Sequence, residues 1–297
     1  MGYYILSFLW FVISLLPLRL LYLLGDILYY PLYYIVKYRR RVVRRNLTDS
    51  FPEKTQKEIV EIEKEFYRRF CELAMETLKL RTMSRKNLKK RMRFEGLEEL
   101  EKTARAQGCE QIFVYTGHYC NWEWVASLPM WTDICCSQIY HPLYNKAFDR
   151  AFLDLRSRFG SESIPMKESL RTILRNRGDG KIHLVGFISD QAPKWSSTHH
   201  WTDFLNHKTS FFIGTEKIGK RVGALICYFD MERLRRGCYV AHIKVLRRAD
   251  RSIPDYELTD EYARLMETTI KRDPASWLWT HNRWKRTYEE WLSRKDR

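Results

Sequence analysis

A histidine and a glutamate stand five residues apart in the run Gly117-His118-Tyr119-Cys120-Asn121-Trp122-Glu123, directly after the apolar stretch 111–115. A neutral imidazole is an effective general base near neutral pH, and a carboxylate on its far nitrogen fixes the tautomer and stabilises the imidazolium. The pair therefore predicts base catalysis, with Glu123 orienting His118. A substrate that brings its own hydroxyl needs no protein nucleophile. Because such a pair also arises by chance, the surrounding elements have to support it.

The elements that position this pair alternate between strand-like apolar runs and amphipathic helical stretches. Such alternation is typical of an α/β fold, here a mixed sheet flanked by helices. The predicted strands are 112–115, 134–140, 182–188, 224–229 and 239–246, the last two as a candidate hairpin, and the predicted helices are 58–80, one from about residue 121, 146–159, 211–220 and 258–271.

Polar residues follow another predicted strand, because Asp190 and Gln191 come directly after the stretch 182–188. Open α/β sheets place their sites at the ends of strands, so we expect these residues to meet His118 at one edge. Asp190 would orient acceptor groups or a basic side chain, or it would cap the next turn. If a helix begins near Asn121, Glu123 lies in its first turn, where the helix dipole keeps a carboxylate ionised.

The N-terminal segment is apolar, with Arg19 and Asp26 as its only strongly charged residues between positions 3 and 36. Residues 1–36 are predicted to be a retained membrane-anchoring helical segment, and residues 37–297 a catalytic domain. The uncharged run 3–18 is somewhat shorter than the ~20 residues of a spanning helix, so spanning the bilayer and lying in its interface are both open. Pro17 and Pro31 are expected to kink or end helices.

The chain is basic, with 52 Lys and Arg against 36 Asp and Glu and a formal net charge of +16. This favours an anionic partner, which could be nucleic acid, an acidic lipid surface or an acidic carrier protein. The basic cluster 37–45 directly follows the apolar segment, which favours contact with anionic headgroups on the cytoplasmic side over a merely solvated helix face. The basic stretch 79–93 fits a second lipid-facing patch and a solvated surface equally well.

The seven cysteines are scattered and lack the paired spacing of a metal site or a disulfide framework. We therefore predict no structural zinc, no other metal and no cofactor. Reduced thiols agree with a body that faces the cytoplasm.

Several motifs stand in order along the chain: Arg44-Arg45-Asn46-Leu47 with Phe51-Pro52-Glu53-Lys54, the His118 to Glu123 run, Tyr140-His141-Pro142-Leu143-Tyr144-Asn145 with Asp149-Arg150, Ser189-Asp190-Gln191, and Trp277-Leu278-Trp279-Thr280-His281-Asn282-Arg283-Trp284-Lys285. In this order they resemble the motifs of the lipid A late acyltransferases, the lauroyl and myristoyl transferases of the lysophospholipid acyltransferase superfamily. The resemblance extends over most of the chain. One departure lies beside His118, because relatives usually have Phe-Gly where this chain has Tyr119-Cys120, so the transferred chain length cannot be copied from them.

This resemblance implies an O-acyltransferase at the cytoplasmic face of the inner membrane. The donor would be an acyl-acyl carrier protein, and the acceptor a hydroxyl of an anionic glycolipid such as a lipid A precursor. The implied catalytic residues are His118 as base, Glu123 as its orienting partner and Arg150 as oxyanion donor, although Arg150 also fits a surface helix charge. The expected substrate-binding residues are Asn121, Asp190, Gln191 and Arg283, and the three tryptophans 277, 279 and 284 fit interfacial or core packing.

Two other function classes stay open on the residues alone. One keeps the His-Glu chemistry but transfers the acyl group from acyl-CoA to another acceptor, such as a lysophospholipid, an aminolipid or an inositol glycolipid. The other is a basic, membrane-tethered binding protein without turnover, in which His118 and Glu123 only cap a helix. No nucleic-acid partner is expected, because the chain lacks a helix-turn-helix, zinc-finger or base-stacking motif.

Overall fold

A seven-stranded sheet forms the centre of the computed structural model, which describes residues 2–295. In spatial order the strands run β1-β9-β8-β2-β5-β3-β4, and a separate hairpin is formed by β6 and β7. The strands are β1 (Met92–Glu95), β2 (Gln111–Thr116), β3 (Cys135–Tyr140), β4 (Glu162–Pro165), β5 (His183–Ile188), β6 (Trp201–Phe204), β7 (His207–Ser210), β8 (Leu225–Arg235) and β9 (Cys238–Arg248).

The large sheet is mixed, because β8 and β9 pair antiparallel while every other neighbouring pair is parallel. All residues of the central strand β2 are buried, which explains its continuous apolar run. The predicted α/β class with a mixed sheet is confirmed, as is the predicted hairpin of the two late strands.

Helices cover the sheet, and the longest, α4, begins at a capping box in which Thr55 and Glu58 satisfy each other's backbone N–H groups. Its extent confirms the predicted helix 58–80. The helices are α1 (Gly2–Leu15), α2 (Leu18–Tyr30), α3 (Arg40–Ser50), α4 (Gln56–Leu80), α5 (Arg85–Lys89), α6 (Leu97–Ala106), α7 (Lys146–Ser157), α8 (Ser169–Arg175), α9 (Gly214–Val222), α10 (Glu257–Arg272) and α11 (Tyr288–Lys295).

Several elements differ from the sequence prediction, which also lacked β1 and β4. The helix expected from about Asn121 is a 3₁₀ helix, Trp122–Met130, with Asn121 as its N-cap and Pro129 inside it. The β6–β7 hairpin was not predicted. Its turn residues Leu205 and Asn206 both have positive φ values, 48° and 61°, as a two-residue hairpin turn requires, but Leu at such a position gives no sequence signal.

The apolar N-terminus forms two helices, which is one of the two arrangements that its prolines left open, the other being one straight helix. α1 and the continuous stretch of α2 with the π-helix Pro31–Val36 meet at a bend of 110° beside Pro17. Within residues 2–295, no single helix has the length and apolar character to cross a bilayer, although this bent pair does so jointly by length and composition. The predicted break at Pro17 is confirmed.

One face of the bent pair packs on the body of the protein. Trp10, Leu21 and Tyr29 are buried there, and the Trp10 indole donates to the Leu78 carbonyl. The Lys79 ammonium donates to two carbonyls at the C-terminal end of α1 and the following turn. The opposite face leaves large apolar side chains exposed, among them Phe8, Leu23, Ile27, Tyr30, Ile35 and Val36.

Candidate active site

The register between β2 and β5 brings His118 and Asp190 together. Thr116 pairs with Ile188 at the carboxyl ends of these parallel strands, and the Ser189 N–H still donates to the Thr116 carbonyl. His118 and Asp190 each lie two residues beyond that last pair. The predicted meeting of these residues at one sheet edge is therefore found in the structure.

The Asp190 carboxylate receives three donors. His118 Nδ1 lies 2.7 Å from Asp190 Oδ1, the His118 backbone N–H donates to Oδ2 over 2.9 Å, and the Trp277 indole donates to the same oxygen over 2.7 Å. Asp190 is buried, whereas the His118 side chain keeps 20% of its surface exposed. One carboxylate thus fixes the position of both the backbone and the ring of His118.

Asp190 is a stable anion despite its burial. Burial alone would raise the pKa of the Asp190 carboxyl, but the adjacent His118 and the hydrogen bond from Trp277 lower it to about 2. Asp190 therefore stays ionised at any pH near neutrality. As a carboxylate it accepts a hydrogen bond from the Nδ1–H of His118.

The other imidazole nitrogen of His118, Nε2, lies beside Gln191. Gln191 Nε2 lies 3.3 Å from His118 Nε2, and the Trp122 ring packs edge-on against the imidazole at 5.2 Å between centroids. An amide N–H directed at Nε2 requires a lone pair there, which agrees with the Nδ1–H tautomer set by Asp190. This is the tautomer of a base that removes a proton through Nε2.

The C-terminal segment closes over the loop that carries His118. The Leu278 N–H donates to the His118 carbonyl over 3.1 Å, and the Cys120 N–H donates to the Ser276 carbonyl over 2.9 Å. Trp277 lies between them and is buried, as is Trp279. Packing of these two tryptophans is confirmed, and the contact of Trp277 with Asp190 adds a role that its sequence position did not reveal.

Glu123 faces away from His118 and pairs with α7. Its two carboxylate oxygens accept from Arg156 Nε over 3.0 Å and from Arg156 Nη2 over 2.7 Å. The predicted orienting contact of Glu123 with His118 is therefore wrong, because Asp190 occupies that position. The sequence analysis did not identify Arg156. The only signal for it was its position on the helix that follows the second motif.

Arg150 lies elsewhere on α7, exposed, with its guanidinium 4.4 Å from the centre of the Tyr3 ring on α1. Tyr3 also donates to Asp154 on the same helix. The structure therefore places the residue predicted as an oxyanion donor against the N-terminal helix, in agreement with the alternative of a surface helix charge.

Asn121 is fully buried and holds the loop rather than facing solvent. Its amide donates to Glu76 Oε2 over 2.6 Å, and its oxygen accepts from the Trp124 N–H. Glu76 also accepts from Tyr22 on α2 and Tyr239 on β9, over 2.7 and 2.9 Å. Burial raises the pKa of Glu76 to about 7, although these three hydrogen bonds oppose the shift.

Arg283 is likewise buried, so it does not present a free guanidinium to a substrate phosphate. It donates to the Ser210 carbonyl and stacks over Phe211, and burial lowers its pKa to about 10 despite the nearby negative charge of Asp190. Burial, assisted by the charge of Arg283, also lowers the pKa of His281 to about 4. Neutral His281 accepts from the Ala192 N–H, which fixes the loop after Gln191.

A family model for bacterial lipid A biosynthesis acyltransferases matches residues 1–286, nearly the whole chain. The chain belongs to this family. A search of curated proteins gives no match for this lipid A biosynthesis acyltransferase. Family membership establishes that the protein is an acyltransferase and supports a role in lipid A biosynthesis.

The departure at Cys120 has a backbone consequence in this acyltransferase. Cys120 has φ of 51°, in the left-handed region that favours glycine, which is the residue expected there from the resemblance. A side chain in that region costs roughly 1–2 kcal/mol. Cys120 is buried beside Trp277, and burial raises the pKa of its thiol to about 12, so the thiol is neutral and not a nucleophile.

Close packing under the site disfavours a side chain at Gly117. A Cβ there would lie 2.5 and 2.7 Å from the Met266 Cε and Sδ atoms and 3.3 Å from Asp190 Oδ2. Because Met266 is buried, we expect Gly117→Ala to destabilise the fold by about 1–3 kcal/mol, measured by denaturant unfolding. Gly214→Ala is the matched control, since a Cβ at the start of α9 meets no atom within 4 Å. Equal unfolding free energies for the two variants would contradict this packing.

Proposed function

We propose that this lipid A biosynthesis acyltransferase moves a fatty acyl group from an acyl-acyl carrier protein to a hydroxyl of an anionic glycolipid, a lipid A precursor. The observation that carries the proposal is the His118 imidazole, fixed by Asp190 through Nδ1 with Nε2 toward Gln191. The family match supports the acyl transfer and the lipid A acceptor class.

In the proposed mechanism, His118 Nε2 removes the proton from the acceptor hydroxyl as its oxygen attacks the thioester carbonyl. Asp190 stabilises the imidazolium that forms, and the imidazolium returns the proton to the leaving thiolate, so no acyl-enzyme intermediate is needed. The side-chain amide of Gln191, which lies beside His118 Nε2, donates a hydrogen bond to the reacting oxygen. Glu123 acts as a positioning residue through Arg156, and Asn121 through Glu76.

The reaction is proposed to take place at the cytoplasmic face of the inner membrane. The exposed apolar face of α1, α2 and the π-helix supports membrane attachment, because contiguous apolar surface of this kind binds bilayers or partners. The basic cluster 37–45 follows this surface directly and would meet anionic headgroups.

Donor and acceptor are tested with the purified full chain in detergent–phospholipid micelles. Matched acyl thioesters of acyl carrier protein and of coenzyme A are offered with a lipid A precursor or with a lysophospholipid, and the products are weighed by mass spectrometry. We expect a mass gain of one acyl group on the lipid A precursor, with the carrier-protein donor. Transfer only from coenzyme A, or only to the lysophospholipid, would contradict the proposal.

A further inference from the structure

A groove of about 790 Å³ lies along the start of α3, outside the His118 site. We call it the basic groove, and its volume is in the range of small-molecule sites. Six cationic side chains line it, against the carboxylates of Asp49 and Glu63: Lys37, Arg39, Arg40, Arg41, Arg44 and Arg45.

Most of the charge in the basic groove is not neutralised by the protein. Glu63 is fully buried and is shared by Arg40 and Arg44. Arg39 and Arg45 reach only neutral oxygens, the Thr280 carbonyl at 3.0 Å and the Asn282 amide at 2.8 Å.

Two further cations, Lys37 and Arg41, are exposed, and neither has a side-chain partner within residues 2–295. The crowding of positive charges extends to the C-terminal segment, where burial and the charges of Arg286 and Arg39 lower the pKa of Lys285. Such a cluster favours an anion with several acceptor oxygens.

The backbone at this groove is held in a costly conformation. Lys37 and Arg39 both adopt left-handed φ values, 52° and 51°, although neither is glycine. Each costs roughly 1–2 kcal/mol, and such strain concentrates at functional sites. Lys37 also closes the preceding helix as its C-cap, so this cost accompanies the turn that starts α3.

The basic groove is connected to the loop that carries His118 through the C-terminal segment. Asn46 on α3 donates to the Trp279 and His281 carbonyls, and Arg39 donates to Thr280, two residues after Leu278, which contacts His118. Two residues span at most about 7 Å, so one short segment connects the groove to the backbone of His118.

We infer that the basic groove binds a phosphate on the headgroup of the acceptor lipid and so presents the acceptor hydroxyl to His118. The inference rests on the proposed function and names a subsite for its acceptor. Ile35 and Val36, 77% and 66% exposed, directly precede the groove, so an amphiphile would place apolar chains beside them and its phosphate among the cations. A concave site of this kind suits a small anionic headgroup better than the broad surface of an acidic carrier protein.

The test removes the two cations without partners, in the double variant Lys37→Gln/Arg41→Gln. The acceptors are a phosphorylated lipid A precursor and the same precursor after phosphatase treatment. We expect KM for the phosphorylated acceptor to rise about tenfold with kcat nearly unchanged, and no difference between variant and parent on the dephosphorylated acceptor. Arg171→Gln/Arg175→Gln on α8 removes the same charge from an exposed surface and should leave KM unchanged.

Three results would overturn the inference. The first is an equal rise in KM for both acceptors, and the second is a rise in KM for the carrier-protein donor instead. The third is a loss of acyl transfer that is fully accounted for by weaker binding of the variant to equimolar phosphatidylcholine–phosphatidylglycerol vesicles. If the parent enzyme acylates neither acceptor, the proposed function fails. The groove is then tested separately, by measuring how inorganic pyrophosphate shifts the thermal unfolding of the parent and of the double variant. Saturable thermal stabilisation that disappears in the double variant supports the groove, and identical stabilisation of both proteins overturns it.

Discussion

Replacing His118 by alanine is expected to lower kcat/KM for acyl transfer by about 10²- to 10⁴-fold, because the acceptor hydroxyl loses its general base. Asp190 keeps two of its three donors, the Trp277 indole and the backbone N–H of residue 118, so the site should stay folded. Acylated lipid is measured by mass spectrometry, and thermal unfolding is followed in parallel to separate loss of catalysis from loss of structure.

His199→Ala is the matched control for this variant, since His199 is exposed and has no side-chain partner within the described residues. Its rate should stay within about twofold of the parent, as surface substitutions are usually close to neutral. Undiminished transfer by a folded His118→Ala protein would remove the base from the mechanism.

The second large effect is expected for Asp190→Asn, with a loss of about 10²- to 10⁴-fold in kcat and little change in the size of the side chain. An amide cannot accept from all three donors that the carboxylate receives. If its N–H₂ faces Nδ1, the proton of His118 moves to Nε2, and the base is in the wrong tautomer. Initial rates at saturating donor and acceptor measure the effect.

A second His-Asp pair provides an internal comparison. Asp179 Oδ2 lies 2.9 Å from His183 Nε2 at the opposite end of β5. Asp179→Asn makes the same chemical change there and should leave kcat within about twofold of the parent, because that pair contacts neither acceptor nor donor in the proposed mechanism. Equal losses in the two variants would show that Asp190 acts only through stability.

Glu123→Gln separates the two carboxylates that the sequence offered as partners of His118. Glutamine still accepts from Arg156 but loses the charge of the ion pair. This variant therefore tests the positioning role of Glu123. A loss of kcat larger than that of Asp190→Asn would assign the orienting role to Glu123 instead of Asp190.

The strand pattern predicted the meeting of His118 and Asp190, but spacing favoured the wrong carboxylate as the partner. Seventy-two residues separate the two, and only the register of β2 with β5 makes them neighbours. Glu123 is close in sequence, yet the 3₁₀ helix that carries it directs it to α7. Local spacing cannot specify side-chain direction when the type of helix is itself set by tertiary packing.

The N-terminal segment shows the same limit in another form. Pro17 predicted the break between α1 and α2, because proline lacks the backbone N–H of a helix interior and its ring clashes with the preceding turn. Composition could not show that Trp10 and Tyr29 pack on protein while Phe8 and Ile27 remain exposed, since all four are large apolar residues. Arg150 and Arg156 were indistinguishable for a similar reason, as two cations on one helix.

The carboxylate of Glu76 has a consequence for how this enzyme can be handled. It is buried and accepts hydrogen bonds from Tyr22 of α2, Tyr239 of the sheet and Asn121 of the loop that carries His118. Proteolytic release of residues 2–36 would remove the Tyr22 hydroxyl from a buried acid and uncover Tyr67, against which Tyr33 packs. The segment proposed to meet the lipid thus also covers the interior of the enzyme. A soluble version is therefore better obtained by replacing the exposed apolar residues of this segment with polar ones than by removing the segment.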